Sequence, residues 1–191
     1  MSVSVKREKS EFISYNNQKI SDNQWMLNFV NNEIRSVIEM FSGKVANVKI
    51  EREIQSRLTN EDKERTYVAC GLDYSYNYSE HKNIPIYHVK IKRRYDKWNY
   101  NDGVEVELSF VLDYDLVINK SPRLNAEKAL AECDNAVKYL TEMIKTYTDS
   151  VVNYDKYMDK AKELDRLISE FNNINYDFRS NIDQYSLHIY H

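Results

Sequence analysis

Only three glycines and two prolines punctuate this chain of 191 residues, and none lies beyond Pro122. Ordinary usage would supply roughly four times as many glycines. A chain with so few breakers is held to long elements joined by Asn, Asp and Ser turns. From Arg123 to His191 there is no such punctuation at all. The fold of that stretch has to be read from side-chain periodicity alone.

Ser121-Pro122 signals a helix start, an N-cap followed by proline at N1. Leu130, Cys133, Val137, Leu140, Ile144, Tyr147, Val151, Tyr154, Met158 and Ala161 then recur at spacings of three and four, a heptad repeat that ends where Asp165 takes an a position. Two structures use such a repeat. One is a single helix from Pro122 to Asn172 of roughly 50 residues, about 75 Å long. The other breaks at Thr148-Asp149-Ser150 into two antiparallel helices, the commoner solution in a compact domain and the expectation here. After Phe171 the chain becomes Asn-rich. Tyr185, Leu187 and Ile189 then alternate with Ser186, His188 and Tyr190, as a short final strand or a frayed tail would.

Upstream, residues 1 to 20 read as an N-terminal arm, charged at Lys6 to Lys9 with a short apolar patch at Phe12, Ile13 and Tyr15. Ser21 and Gln24 form a capping box, and Gly43 suits a C-terminal cap. Between them Met26, Phe29, Val30, Ile34, Val37, Ile38 and Phe41 make one apolar helical stripe. Residues 45 to 58 put Val48, Ile50 and Ile54 opposite Lys49, Glu51, Glu53 and Arg57, the alternation of a strand. Residues 66 to 78 alternate likewise. Ile84 to Ile118 reads as a hairpin turning at Asp102-Gly103, with Tyr95 facing Phe110, Ile91 facing Tyr114, Lys92 facing Asp113 and Lys90 facing Asp115. The expected fold is therefore α+β: an N-terminal helix, a four-stranded antiparallel meander with one apolar face, and a long C-terminal helix or helical hairpin. Along one domain the segments are 1–20, 21–120, 121–173 and 174–191.

A net charge of -3, from 27 basic and 30 acidic side chains, creates no global field toward nucleic acid or an anionic membrane. Cys70 and Cys133 are too few for a disulfide framework and fall at positions that read as buried, which suits a reducing compartment. The N-terminus lacks the apolar run of a signal peptide, and no segment approaches membrane-spanning length. The expected location is the cytoplasm of a bacterial host, or a virion. An excess of Asn, Lys, Ile and Tyr is what an AT-rich genome would encode, as many bacteriophages and their hosts have.

Candidate chemistry is thin. Glu105 and Glu107, and again Asp113 and Asp115, project from one sheet face beside Lys90 and Lys92, a grouping that metal-dependent nucleases use to hold Mg²⁺ and orient water. Cross-strand pairing of each lysine with an acid explains the same residues as a solvated sheet face, so neither a catalytic nor a metal site is assigned. Arg93, Lys97, Trp98 and Tyr100 near the hairpin tip are the residues best suited to a polyanion, basic groups for phosphates and rings for bases. The histidines show no ligand spacing, and three glycines cannot build a phosphate cradle, so no cofactor is expected. What remains is helical surface. Tyr147, Val151, Tyr154, Tyr157 and Met158, with Tyr185, Leu187 and Ile189 beyond them, are the interface candidates. The chain reads as a non-enzymatic assembly module of phage-particle type whose partners are protein, copies of itself or a larger complex, with nucleic acid not favoured and no membrane. The alternatives are a mobile-element inhibitor or adaptor that binds a host defence or nucleic-acid enzyme, and a metal-dependent nuclease.

Overall fold

The computed structural model describes residues 3–95, 102–114 and 121–188, with side chains from residue 8 to residue 176. They fall into two compact units, Met1–Asp149 and Ser150–His191. The class is α+β, with N-terminal helices, a three-stranded antiparallel sheet and C-terminal helices.

The chain is helical from its described start. Helix α1 (Val3–Asn28) runs through a π-helical turn (Phe29–Ile34) into α2 (Arg35–Met40). Ser21 therefore caps nothing, and the expected arm is the first half of a helix. Polar residues within it are satisfied locally: Asn16 and Asn23 donate from their amides to the carbonyls of Phe12 and Lys19, four residues back. Such a bond satisfies the side chain within a helix. The expected stripe is in place, with Met26, Phe29, Val30, Ile34, Val37 and Ile38 buried. Gly43 then takes a left-handed φ of 69° just beyond the helix, a conformation with little cost for glycine.

Residues 45 to 58 are not a strand. Asn47 accepts from the Lys49 amide and starts α3 (Val48–Ser56), and Thr59 accepts from the Asp62 amide and starts α4 (Asn60–Arg65). Ile50, Ile54 and Leu58 lie four apart and are buried together, while Val48, which completed the strand pattern, is exposed. Spacings of two and of four coincide at Ile50 and Ile54, and two side-chain caps decide for the helix.

The sheet is β1 (Thr66–Asn77), β2 (Lys82–Arg94) and β3 (Gly103–Val111), in sequential order. Its hairpin register differs from expectation by eight residues. Arg94 faces Gly103, Lys92 faces Glu105, Ile91 faces Val106 and Lys90 faces Glu107. Asp102-Gly103 is not a tight turn: the Tyr95 amide donates to the Asp102 carbonyl at 3.2 Å, closing a longer connection. Gly103 instead serves as a strand residue whose missing Cβ clears the Arg93 carbonyl. Gly103→Ala is expected to cost about 1–3 kcal/mol by forcing these strands apart, read as a lower urea midpoint with an unchanged slope. Because eight is even, the error leaves every side chain on its expected face. Asp113 lies past β3, bridged to Arg123, and Asp115 lies outside the described residues.

One sheet face and helices α1 to α3 and α5 (Ala126–Val152) share a single core. Val68, Tyr87, Val89, Ile91, Val104, Val106, Leu108 and Phe110 pack with the α1–α2 stripe, α3, Leu124, and Ala129, Cys133 and Leu140 of α5. Cys133 is buried as expected, but Cys70 is only half-buried. Burial pushes both thiols up to about 12. The expected turn at Thr148-Asp149-Ser150 is absent, since all three residues are helical. Thr141, Thr146 and Thr148 donate their hydroxyls to the carbonyls four residues earlier. One turn residue, Asn153, separates α5 from α6 (Tyr154–His188). Tyr185 and Leu187 are thus helical, not a final strand, and Ile189 lies outside the described residues. Among the described residues no helix is long and apolar enough to cross a membrane.

Candidate functional site

On the outer face of β2 and β3 the lysines, His88 and the glutamates are engaged with one another. Lys90 Nζ lies 2.7 Å from Glu105 Oε1, and Lys92 Nζ is 4.0 Å from Glu105 Oε2. His88 meets Ser109 Oγ at 3.1 Å and Glu107 at 3.5 Å. Asp113 accepts from Lys128 Nζ at 3.0 Å and from the Asn125 amide at 2.9 Å. Those two bonds hold its carboxyl below the usual range. Among the described residues no group of three or more His, Cys, Asp or Glu could hold a metal ion. A cleft of about 700 Å³ lies beside β2 and α5, bordered by Lys82, Pro85, Leu112, Asp113, Arg123 and Lys128. Its charges are also committed: Lys82 to Glu80, Lys128 to Asp113, and the Arg123 guanidinium to the Gly43 carbonyl.

Of the four polyanion candidates, Lys97, Trp98 and Tyr100 lie outside the described residues, and Arg93 is buried. Arg93 sits on the core face of β2 because a partner waits there. Its Nε donates to Asp22 Oδ1 at 3.0 Å, its Nη1 to Asp62 Oδ1 at 2.8 Å, and its guanidinium carbon lies 4.1 Å from the centre of the Trp25 ring. Asp22 also receives Arg65 and Gln18, each at 2.6 Å. This closed network ties α1 to α4 and the sheet. Burial would raise the Asp62 carboxyl, but bonds from Thr59 and Arg93 outweigh it and hold the group below its ordinary value. A carboxyl whose folded pKa is depressed stabilises above the unfolded value and loses that contribution as pH falls through the folded one. Asp62→Asn is expected to lower the urea midpoint at pH 7, with a deficit that shrinks below about pH 4. A deficit constant down to pH 3 would mean the pair does not act through charge.

The interface candidates divide between two settings. Tyr147 is half-buried beside α1, where Lys19 Nζ stands 5.2 Å from its ring centre, 5.7 Å from that of Tyr95 and 4.2 Å from that of Tyr15. The Tyr15 hydroxyl donates to Asp102 Oδ2 at 2.5 Å, and that bond pushes its pKa up to about 12. Val151 and Tyr154 are half-buried, while Tyr157 and Met158 on α6 are 52% and 36% exposed.

Beyond them α6 carries residues that the sequence reading stopped short of. Leu164, Leu167, Ile168, Phe171 and Ile174 are 57, 48, 49, 67 and 67% exposed. They fall on one broad stripe of the helix, with Tyr157 and Ala161, at the three-and-four spacing of a buried face. Carried forward from α5, the heptad phase meets the polar Asp165 at an a position and breaks off there. The signal that it continues is a shift of phase by three residues, and the chain leaves regular helix at Asn153, next to that shift.

A second exposed surface belongs to the sheet. On the core face of β1, Leu72, Tyr74 and Tyr76 extend beyond the helical cover at 42, 51 and 45% exposure. Tyr78 in the following turn is 80% exposed and meets the Tyr76 ring edge-on at 5.0 Å. β1 is an edge strand, paired only with β2 among the described residues. Comparison with protein-family models, with curated proteins and with solved structures returns no match.

Proposed function

We propose that this chain is a non-enzymatic assembly protein, working in an oligomer or a larger complex of the kind that phage particles use for structural or connector parts. The observation that carries this reading is the α6 stripe: Leu164, Ile168 and Phe171 are each about half exposed or more. A helix that keeps an apolar face on its surface over several turns is built to cover that face with something else. The paired charges of β2 and β3 support the same reading, because Lys90 and Lys92 are both engaged by Glu105. Light scattering on the purified protein is the test. An oligomer that persists on dilution is expected, and a clean monomer at tens of micromolar with protease-labile ends would overturn the reading.

The β1 edge favours a second reading, an adaptor that captures an extended segment of another protein. An edge strand offers a row of backbone donors and acceptors, and Leu72, Tyr74 and Tyr76 would seat alternate side chains of an added strand. Tyr74→Lys together with Tyr76→Lys should abolish such capture while leaving self-association intact.

A further inference from the structure

Resting on the assembly reading, we infer that α6 is the self-recognition element of this protein and pairs in parallel, in register, with α6 of a second copy. In the phase set after Asn153, the a positions are Tyr154, Ala161, Ile168 and Asn175, and the d positions are Tyr157, Leu164 and Phe171. The repeat is strict, and in the sequence it continues without slippage through Phe178, Ile182 and Tyr185. Asn175 is the one polar residue in that seam. It is not on the outside of the helix by phase, yet it is exposed, as are Leu164, Ile168 and Phe171 around it.

This pattern selects its occupant. A β-branched residue at a with leucine at d favours two strands in a parallel coil, and a lone asparagine at a is the device that sets register and strand number, because the two amides bond only to each other. An antiparallel copy would pair a with d positions and place Asn175 against Leu164 or Phe171, leaving its amide unsatisfied. Charge agrees with this arrangement. Lys160 takes a g position and Asp165 the following e position, so in a parallel pair each lysine faces the acid of the other copy.

The test uses the full chain, with Cys70→Ser as background since Cys133 is fully buried. Light scattering should report a dimer. Ile168→Glu, a good helix former at an exposed position, should halve that mass with the helical content and the unfolding midpoint of the sheet-containing unit unchanged. Asn175→Cys should cross-link rapidly on mild oxidation, while Arg166→Cys, on the outer f position, should stay reduced. Asn175→Ile should add species larger than the dimer. A monomeric parent chain overturns both this inference and the assembly reading. An oligomer indifferent to Ile168→Glu leaves assembly standing and removes α6 from it. Dimerisation lost in Ile168→Glu without cross-linking through position 175 overturns the parallel register.

Discussion

Asp22→Ala is expected to destabilise the protein by about 3–5 kcal/mol, read as a fall in the urea midpoint at neutral pH. Asp22 is 2% exposed and holds Arg93 and Arg65, and Arg93 is itself buried over Trp25. Removing the carboxylate leaves a desolvated guanidinium with Asp62 as its remaining charged partner. That cost exceeds the worth of the intact pair, because forming the pair already required both charges to leave water. Asp22→Leu combined with Arg93→Met should therefore recover part of the loss, since the buried guanidinium is gone while Asp62 and Arg65 each lose a charged partner. A deficit below about 1 kcal/mol for Asp22→Ala would show that water reaches Arg93 and takes the place of the carboxylate.

Leu140→Ala and Leu164→Ala should separate sharply, although both leucines occupy core positions of a heptad. Leu140 is fully buried on α5, and truncating it should cost about 2–5 kcal/mol, the lost transfer energy plus the cavity left behind. Leu164 is 57% exposed on α6, and its truncation should change unfolding of the sheet-containing unit by no more than about 0.5 kcal/mol. Its effect belongs to assembly and should appear in light scattering instead. Urea melts followed by tryptophan fluorescence distinguish the two, and equal losses would mean that α6 packs into the same core.

The contrast between those leucines also marks the reach of the sequence. A heptad states which residues share a face and is silent on what covers the face. Within α1 and α2 the apolar stripe was legible from Met26 to Ile38, because 3.6 residues per turn leaves a clear signature over several turns. The strand character of β2 and β3 was legible for the same kind of reason, at period two. Residues 48 to 56 were not, because Ile50 and Ile54 fit either period and the caps at Asn47 and Thr59 carried the decision. Among candidate sites, the lysine–acid pairing of the sheet was readable in kind, though Glu105 and Glu107 replace Asp113 and Asp115 as the facing acids. The α6 stripe beyond Met158 was hidden by a three-residue change of phase. Arg93 was read as a surface cation because nothing near it in the chain announces Asp22, seventy-one positions away.

Side-chain periods, facing and the absence of breakers follow from local backbone geometry, and the sequence alone determined them: helical segments, alternating strands, an α+β class and one neutralised sheet face. Tertiary structure decided the rest, since it depends on contacts between distant segments. The hairpin register, the burial of Arg93 and the exposure of Leu164 each turn on whether a partner lies opposite. Periodicity carries no information about that, because the free energy of burial belongs to the pair and not to either residue.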